Sequence, residues 1–209
     1  CNDFLTPLFE RIFPIPDGVS YNSFFIDDEK TCVLDAMDKV CRDEFLEDVE
    51  YLLHGRQLDY FIIQHMEPDH ASSALALVEK YPNVKIVGQA QTFKFFEQFY
   101  SEDYKANYMT VTEGDQLDLG KHKLQFIKAP MVHWPEVIMT YDLTDKILFS
   151  ADAFGMFGTV GNIFADQVEY EEEYLDEARR YYVNIGGKYG AQVMAVLKKA
   201  SGLQIDYIC

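Results

Sequence analysis

Four residues with metal-binding side chains lie within six positions, in the segment Gln64-His65-Met66-Glu67-Pro68-Asp69-His70. The segment directly follows the compact apolar run 59–64, which is long enough to form a buried strand. Ligand crevices of open α/β sheets form at the carboxyl ends of such strands. The alternation of His65, Glu67 and Asp69 turns these side chains toward one side of an extended stretch. We expect Pro68 to delay the next helix and to leave irregular backbone that can fold around an ion.

Two further residues repeat the arrangement of a strand followed by a ligand. His133 follows the strand-like run 123–127, and Asp152 follows the run 147–149. The set then holds three imidazoles and three carboxylates, which is more than one mononuclear site normally takes. Two metal ions that share a bridging carboxylate would use all six.

A structural interpretation of the same residues is also open. Asp69 could cap a helix, His65 could be a hydrogen-bonded strand-end histidine, and His133 and Asp152 could be unrelated. If the residues do bind metal, imidazole suits both zinc and iron, whereas three carboxylates shift the site toward harder ions. The ligand types therefore favour non-haem iron and redox chemistry over a zinc hydrolase.

The elements that position these residues follow from the hydrophobic pattern. Strands are predicted at 21–26, 31–34, 59–64, 84–87, 108–111, 116–119, 123–127, 137–141, 147–149 and 204–208. Helices are predicted at 45–53, from Ser72-Ser73 to Tyr81-Pro82, and at 91–100, 171–184 and 192–200. A β-α-β opening, a β-rich middle and a helical close predict an α+β chain of stacked sheets with helices outside. Without repeats or linkers, residues 1–209 form one domain.

The composition excludes several classes of protein. The 209 residues are 48% hydrophobic and carry a formal charge of −17, which disfavours binding to nucleic acid or to an anionic membrane. No apolar run approaches the length of a membrane-spanning helix, and no signal peptide is visible. Four cysteines, Cys1, Cys32, Cys41 and Cys209, form no C-x-x-C pair and no disulfide framework. We therefore expect a reducing cytoplasm.

The metal-binding segment resembles the H-x-H-x-D-H signature of the metallo-β-lactamase superfamily. Glu67 in place of the second histidine is similar to the flavodiiron branch. Four further segments resemble the same branch: Gly18-Val19-Ser20-Tyr21-Asn22-Ser23, Ala129-Pro130-Met131-Val132-His133-Trp134-Pro135, Phe149-Ser150-Ala151-Asp152-Ala153-Phe154-Gly155 and Gly161-Asn162-Ile163-Phe164-Ala165-Asp166. The resemblance implies a metallo-β-lactamase-like αββα four-layer sandwich, with two stacked mixed sheets between outer helices.

The resemblance also implies the roles of the six ligands. One iron would be held by His65, Glu67 and His133, and a second by Asp69 and His70, with Asp152 bridging an Fe-O-Fe type centre. The family's last ligand is a histidine beyond a Cys-Pro pair, so the end at Cys209 implies a segment cut from a longer protein, with its first strand also clipped.

The implied reaction is reduction of O2 to water or of NO to nitrous oxide. Electrons would come from FMN, which this segment does not bind, on a flavodoxin-like domain of the partner subunit in a head-to-tail homodimer. Two other functions remain open: a zinc-dependent hydrolase of the same superfamily, and a diiron gas sensor that binds oxygen without turnover.

Other residues near these motifs have two interpretations each. Trp134 either packs as an ordinary aromatic residue or forms a wall of the pocket that faces the flavin. Gly155, Gly158 and Gly161 indicate a flexible loop beside the pocket rather than a phosphate cradle. Phe164 and four tyrosines lie around the acidic stretch 166–177; the tyrosines are Tyr170, Tyr174, Tyr181 and Tyr182. These aromatic residues could line a channel, but their spacing favours core packing. His54, at a helix end, and His122, in a turn, are assigned no chemical role.

Overall fold

A computed structural model describes residues 1–100 and 104–209 of the chain. The strands are β1 (Asn2–Asp3), β2 (Leu8–Phe9), β3 (Phe13–Pro14), β4 (Val19–Ser20), β5 (Phe24–Ile26), β6 (Cys32–Leu34), β7 (Tyr60–Ile62), β8 (Lys85–Gly88), β9 (Tyr108–Thr110), β10 (Gln116–Asp118), β11 (Lys123–Lys128), β12 (Ile138–Asp142), β13 (Ile147–Phe149) and β14 (Tyr207–Ile208). The helices are α1 (Arg42–Leu53), α2 (Pro68–Ala71), α3 (Ala74–Lys80), α4 (Ala90–Tyr100), α5 (Tyr170–Glu173), α6 (Leu175–Asn184) and α7 (Gly190–Ala200).

Strands β5 to β9 form the first sheet, in sequence order. β5 is antiparallel to β6, and the remaining pairs are parallel. The parallel strands are short and apolar, as expected for strands buried on both faces. Because helices connect them, their carboxyl ends meet at one edge of the sheet, and β7 leads there directly into the metal-binding segment.

Strands β10 to β14 form the second sheet, also in sequence order. Its first four strands are antiparallel neighbours, and β14 pairs with β13 in parallel. The alternation of buried and exposed residues in β10 and the first half of β11 is that of a sheet with one solvated face. Both sheets are therefore mixed, as the sequence analysis predicted.

The hydrophobic core has three layers. Side chains of both sheets pack face to face in the middle, among them Leu34, Ile62 and Phe126, all fully buried. Helices α1, α3 and α4 cover the outer face of the first sheet, and α7 contacts the outer face of the second through Val196. The architecture is the predicted αββα four-layer sandwich.

The helices differ from prediction in two places. Pro68 begins α2 rather than delaying a helix, because proline fits the first helical position, where no backbone N–H is needed. Asp69 and His70 therefore lie on a short helix and not on irregular backbone. The predicted helix 171–184 is broken at Tyr174 into α5 and α6.

In the described part of the chain, no helix has the length and apolar character needed to cross a bilayer.

Two of the four cysteines are paired, a contact that the sequence does not predict, although one pair is not a disulfide framework. Cys1 and Cys41 form a disulfide, while Cys32 and Cys209 are free. Pairing of β1 with β4 places Cys1 beside Tyr21, and Cys1, Tyr21 and Cys41 pack in one core cluster. Sequence spacing alone gives no signal for such a distant pair.

A histidine joins three turns at the end of the sandwich away from the metal-binding segment. His122, between β10 and β11, faces Asp28 in the β5–β6 turn, with Nδ1 2.8 Å from Oδ2. Its Nε2 lies 3.2 Å from Asp145 Oδ2 in the β12–β13 turn. Burial lowers the pKa of His122, but hydrogen bonds to these two carboxylates outweigh it and raise the pKa overall.

Candidate metal centre

Four of the predicted ligands converge from both sheets. His65 and Glu67 lie between β7 and α2, His133 lies in the β11–β12 loop, and Asp152 lies in a single helical turn after β13. Their ligand atoms all lie within 4.8 Å of one another. The Nε2 atom of His133 is 2.7 Å from Glu67 Oε2 and 3.4 Å from His65 Nε2.

The other two predicted ligands form a second group with Asp152. Asp69, His70 and Asp152 also have ligand atoms within 4.8 Å of one another. Asp152 Oδ1 lies 2.9 Å from His70 Nε2, whereas Oδ2 lies 3.2 Å from His65 Nε2 and 3.3 Å from His133 Nε2. Asp152 thus directs one oxygen to each group, which is the geometry that a bridging carboxylate requires.

These spacings fit a metal ion. Atoms bound to one ion at about 2.1 Å lie about 3.0–3.4 Å apart in octahedral or tetrahedral geometry, and most of the short distances in the first group fall in this range. Among the described residues, Asp69 Oδ1 is buried and has no hydrogen-bond partner. Unpaired buried carboxylate oxygens are costly unless a cation compensates them. The donor set, with nitrogen and oxygen but no sulfur, suits iron or zinc.

The protonation equilibria show how strongly the cluster attracts positive charge. Burial alone would lower the pKa values of the histidines, but the carboxylates prevail: the pKa of His133 rises to about 9, and that of His65 rises well above its usual value. The pKa of Asp152 falls despite burial, chiefly because of His70 and the other histidines. Burial raises the pKa of Asp69 to about 8. In the described residues every ion pair to these carboxylates comes from histidine, so a metal ion would replace protons here.

Two buried carboxylates lie behind the histidines, and the sequence analysis missed both. Glu136 Oε1 lies 2.7 Å from His65 Nδ1. Asp35 Oδ2 lies 3.0 Å from His70 Nδ1, and its other oxygen accepts a hydrogen bond from the Gln64 backbone at 2.7 Å. Asp35 directly follows β6, so the pattern of a strand followed by a ligand could have identified it. Glu136 has no comparable signal.

Aromatic residues enclose the cluster. The Trp134 ring stands edge-on to His65, with centroids 5.2 Å apart, and also contacts Phe95 and Phe99. Trp134 is half-buried, and one wall of the centre is aromatic. On the other side, buried Tyr181 and Tyr21 line a cavity that reaches Asp69, His70 and Asp152. Burial, reinforced by Asp152, raises the pKa of Tyr181.

The remaining candidates lie outside the ligand groups. Of the three glycines predicted to lie beside the pocket, Gly155 and Gly158 line the cavity beside the cluster, whereas Gly161 lines an apolar surface groove. The prediction of core packing holds for Tyr181 only: Tyr182 is 45% exposed, and Tyr170, Tyr174 and Phe164 line an apolar surface groove, because α5 and α6 lie at the surface. His54 ends α1 in a left-handed conformation. Neither His54 nor His122 contributes to the two ligand groups.

The chain has detectable relatives along nearly its whole length. The family described as "ODP family beta lactamase" matches residues 19–209. The chain is 36% identical, over 94% of its length, to the anaerobic nitric oxide reductase flavorubredoxin of Aliivibrio salmonicida, of which it covers 40%. It is 33% identical over its full length to the putative diflavin flavoprotein A 1 of a Nostoc species, of which it covers 35%. The chain thus spans well under half the length of these curated relatives.

Solved structures share the fold. The flavodiiron protein from Giardia intestinalis superimposes with a TM-score of 0.93 and 32% identity, over 99% of this chain and 50% of that one. The rubredoxin oxygen:oxidoreductase of Desulfovibrio gigas gives a TM-score of 0.92 and 29% identity, over 100% of this chain and 52% of that one.

Proposed function

The chain belongs to the ODP family of β-lactamase-like domains, and from that premise we propose that residues 1–209 form the diiron-binding catalytic domain of a flavodiiron oxygen or nitric oxide reductase. The first iron would be held by His65, Glu67 and His133, the second by Asp69 and His70, and Asp152 would bridge them. The bound pair would supply the redox chemistry that reduces O2 to water or NO to nitrous oxide.

The observation that carries this proposal is the position of Asp152. Its two carboxylate oxygens face different ligand groups, 2.9 Å from His70 Nε2 and 3.2 Å from His65 Nε2. A single carboxylate serving two sets of donors supports a dinuclear centre rather than two unrelated sites. Three carboxylates among six donors support iron over zinc.

The protein's own contribution is to position the donors and to shape the space beside them. His65 is fully buried and Glu67 is 5% exposed, so the first group is enclosed by protein. The second group faces the cavity lined by Tyr21 and Tyr181, which leaves room for a diatomic molecule on that side. Burial raises the pKa values of both tyrosine hydroxyl groups further above neutrality.

Electrons would enter from FMN carried by a flavodoxin-like domain of the partner subunit in a head-to-tail homodimer. The aromatic surface formed by Phe95, Phe99 and Trp134 supports an approach near the first group. Phe99 is 52% exposed, and Trp134 connects this surface to the His65 ring. On this proposal Trp134 is the residue that faces the flavin.

Anaerobic purification followed by metal analysis and rapid mixing tests the proposal. We expect two iron ions per chain, and a single oxidation of the chemically reduced protein by O2 or NO. The sequence predicts no nicotinamide or flavin site in this segment, so sustained consumption of O2 with NADH should not occur without an added flavoprotein. Two zinc ions together with thioester hydrolysis would instead establish the hydrolase, and reversible O2 binding without oxidation would establish a sensor.

A further inference from the structure

Glu136 is a fully buried carboxylate that is not among the six proposed metal ligands. It lies between His133 and β12, at the junction of the two sheets. The side chain of Gln89 holds its backbone in place, since Nε2 donates hydrogen bonds to the carbonyl oxygens of Glu136 at 2.6 Å and Val137 at 3.2 Å. The Glu136 carboxylate therefore has a defined direction toward the metal-binding segment.

One carboxylate oxygen controls the orientation of His65. Glu136 Oε1 accepts a hydrogen bond from the Met66 backbone N–H at 2.9 Å and lies 2.7 Å from His65 Nδ1. Because Oε1 already accepts from the Met66 N–H, it serves His65 as an acceptor as well, and the Nδ1 atom of His65 carries the hydrogen. The lone pair of a neutral His65 ring is then on Nε2, which faces Glu67, His133 and Asp152.

The second oxygen of Glu136 argues against a purely structural role. Within the described chain, Glu136 Oε2 is buried and has no hydrogen-bond partner. A buried carboxylate with an unpaired oxygen costs free energy, and an apolar side chain of similar size would often be at least as stable. The compensating benefit has to come from the histidine and backbone N–H groups that Oε1 orients.

We propose that Glu136 is the positioning residue of the first metal. It holds the Nδ1–H tautomer of His65, directs Nε2 to the ion and raises the basicity of the ring, as carboxylates behind metal-bound histidines do. This inference rests on the proposed metal centre and adds to it a residue that never touches the ion.

The test compares Glu136→Ala and Glu136→Gln with the unaltered chain by Zn²⁺ titration against a competing chelator. Glu136→Ala should weaken the first Zn²⁺ by about 10- to 100-fold and change the second less than threefold. Glu136→Gln keeps a hydrogen-bond acceptor but removes the charge, so its loss should be smaller. Asp35→Asn is the matched control, because it alters the carboxylate behind His70 and should weaken only the second Zn²⁺.

NMR of the zinc-loaded protein provides a readout that a merely structural role would not change. The His65 Nδ1–H signal should be protected from exchange and shifted downfield in the unaltered chain and in Glu136→Gln, and should lose both properties in Glu136→Ala. Equal first-site affinity in a folded Glu136→Ala protein overturns the inference. If that variant does not fold, Glu136→Gln decides: a first-site affinity equal to that of the unaltered chain, or loss of the protected downfield Nδ1–H signal, would overturn the inference. If the unaltered chain binds no Zn²⁺, the proposed metal centre fails together with the inference.

Discussion

At the scale of single residues, His133 is the ligand whose removal most cleanly separates metal binding from folding. It comes from a loop, and its Nε2 reaches both Glu67 and His65. We expect His133→Ala to lower the affinity of the first iron by more than the 10- to 100-fold typical of outer-shell partners, with an unchanged circular dichroism spectrum. Metal analysis after anaerobic dialysis measures the loss.

His54→Asn is the control for that experiment. It removes an exposed histidine outside both ligand groups, and asparagine tolerates the left-handed conformation found there. The iron content of His54→Asn should match that of the unaltered chain, whereas the iron content of His133→Ala should be lower. Full iron occupancy in His133→Ala would remove His133 from the ligand set.

The two ions should also bind with different affinities. Within the described chain the first group offers four donor residues, whereas the second offers three and shares Asp152 with the first. Fewer protein donors leave more of the coordination shell to water and weaken binding. Stepwise titration with Fe²⁺ under argon should show two phases, and Asp69→Asn should shift only the weaker one. A single phase, or a shift of the tighter one, would contradict the assignment.

The sequence predicts the six candidate ligands because each follows an apolar strand and carries a side chain that binds metals. It does not predict the carboxylates behind them. The Glu136–His65 contact spans 71 positions and the Asp35–His70 contact spans 35. The first contact depends on how the two sheets pack, and spacing along the chain carries no information about that. Asp35 instead directly follows β6, in the same sheet as β7, so the pattern of a strand followed by a ligand could have identified it.

At the scale of the elements, His122 should make the three turns that it joins sensitive to pH. Its folded pKa is raised, so its contribution to stability is complete below about pH 6.5 and is lost as the pH rises through the folded value. The pKa of Asp28 is lowered by hydrogen bonds from His122 and neighbouring N–H groups, against the opposing effect of burial. The contribution of Asp28 to stability is therefore present above about pH 4.

The expected result is a pH-dependent cost of His122→Asn. The variant should lose about 1 kcal/mol more of the free energy of unfolding at pH 5.5 than at pH 9. Urea unfolding of chelator-treated protein at both values measures this difference. Asp145→Asn, which removes one of the two facing carboxylates, should reduce the pH dependence. A cost of His122→Asn that is equal at both values would contradict the assignment.

The main strands and helices could be predicted from the sequence, usually to within three residues. The period of the apolar residues and the turn residues between apolar runs are local signals. The strands of both sheets come from such apolar runs. The sequence does not predict strands β1 to β4, because two-residue strands are too short to show a period. Only β4 lies next to a predicted strand, the one that begins at Tyr21. The break at Tyr174 was also missed, since both halves share one helical pattern.

At the scale of the whole molecule, metal removal should lower thermal stability. Zn²⁺ at 100 times its dissociation constant adds about 2.7 kcal/mol to the free energy of unfolding if only the folded state binds it, which corresponds to a Tm increase of about 5–10 °C. Thermal scans with Zn²⁺ and with chelator measure the shift. Asp152→Asn should abolish most of it. An equal shift in that variant would indicate binding to the acidic surface of this chain, whose net charge is −17.

The division of the ligands between two sheets also bears on synthesis. A chain that leaves the ribosome presents His65, Glu67, Asp69 and His70 first, then His133, and Asp152 last. Because each ligand group includes Asp152, neither proposed iron site is complete on a nascent chain that ends before that residue. By then all of the first sheet and the strands β10 to β13 have been translated. Binding of either ion by its full ligand group would thus have to follow translation of these strands.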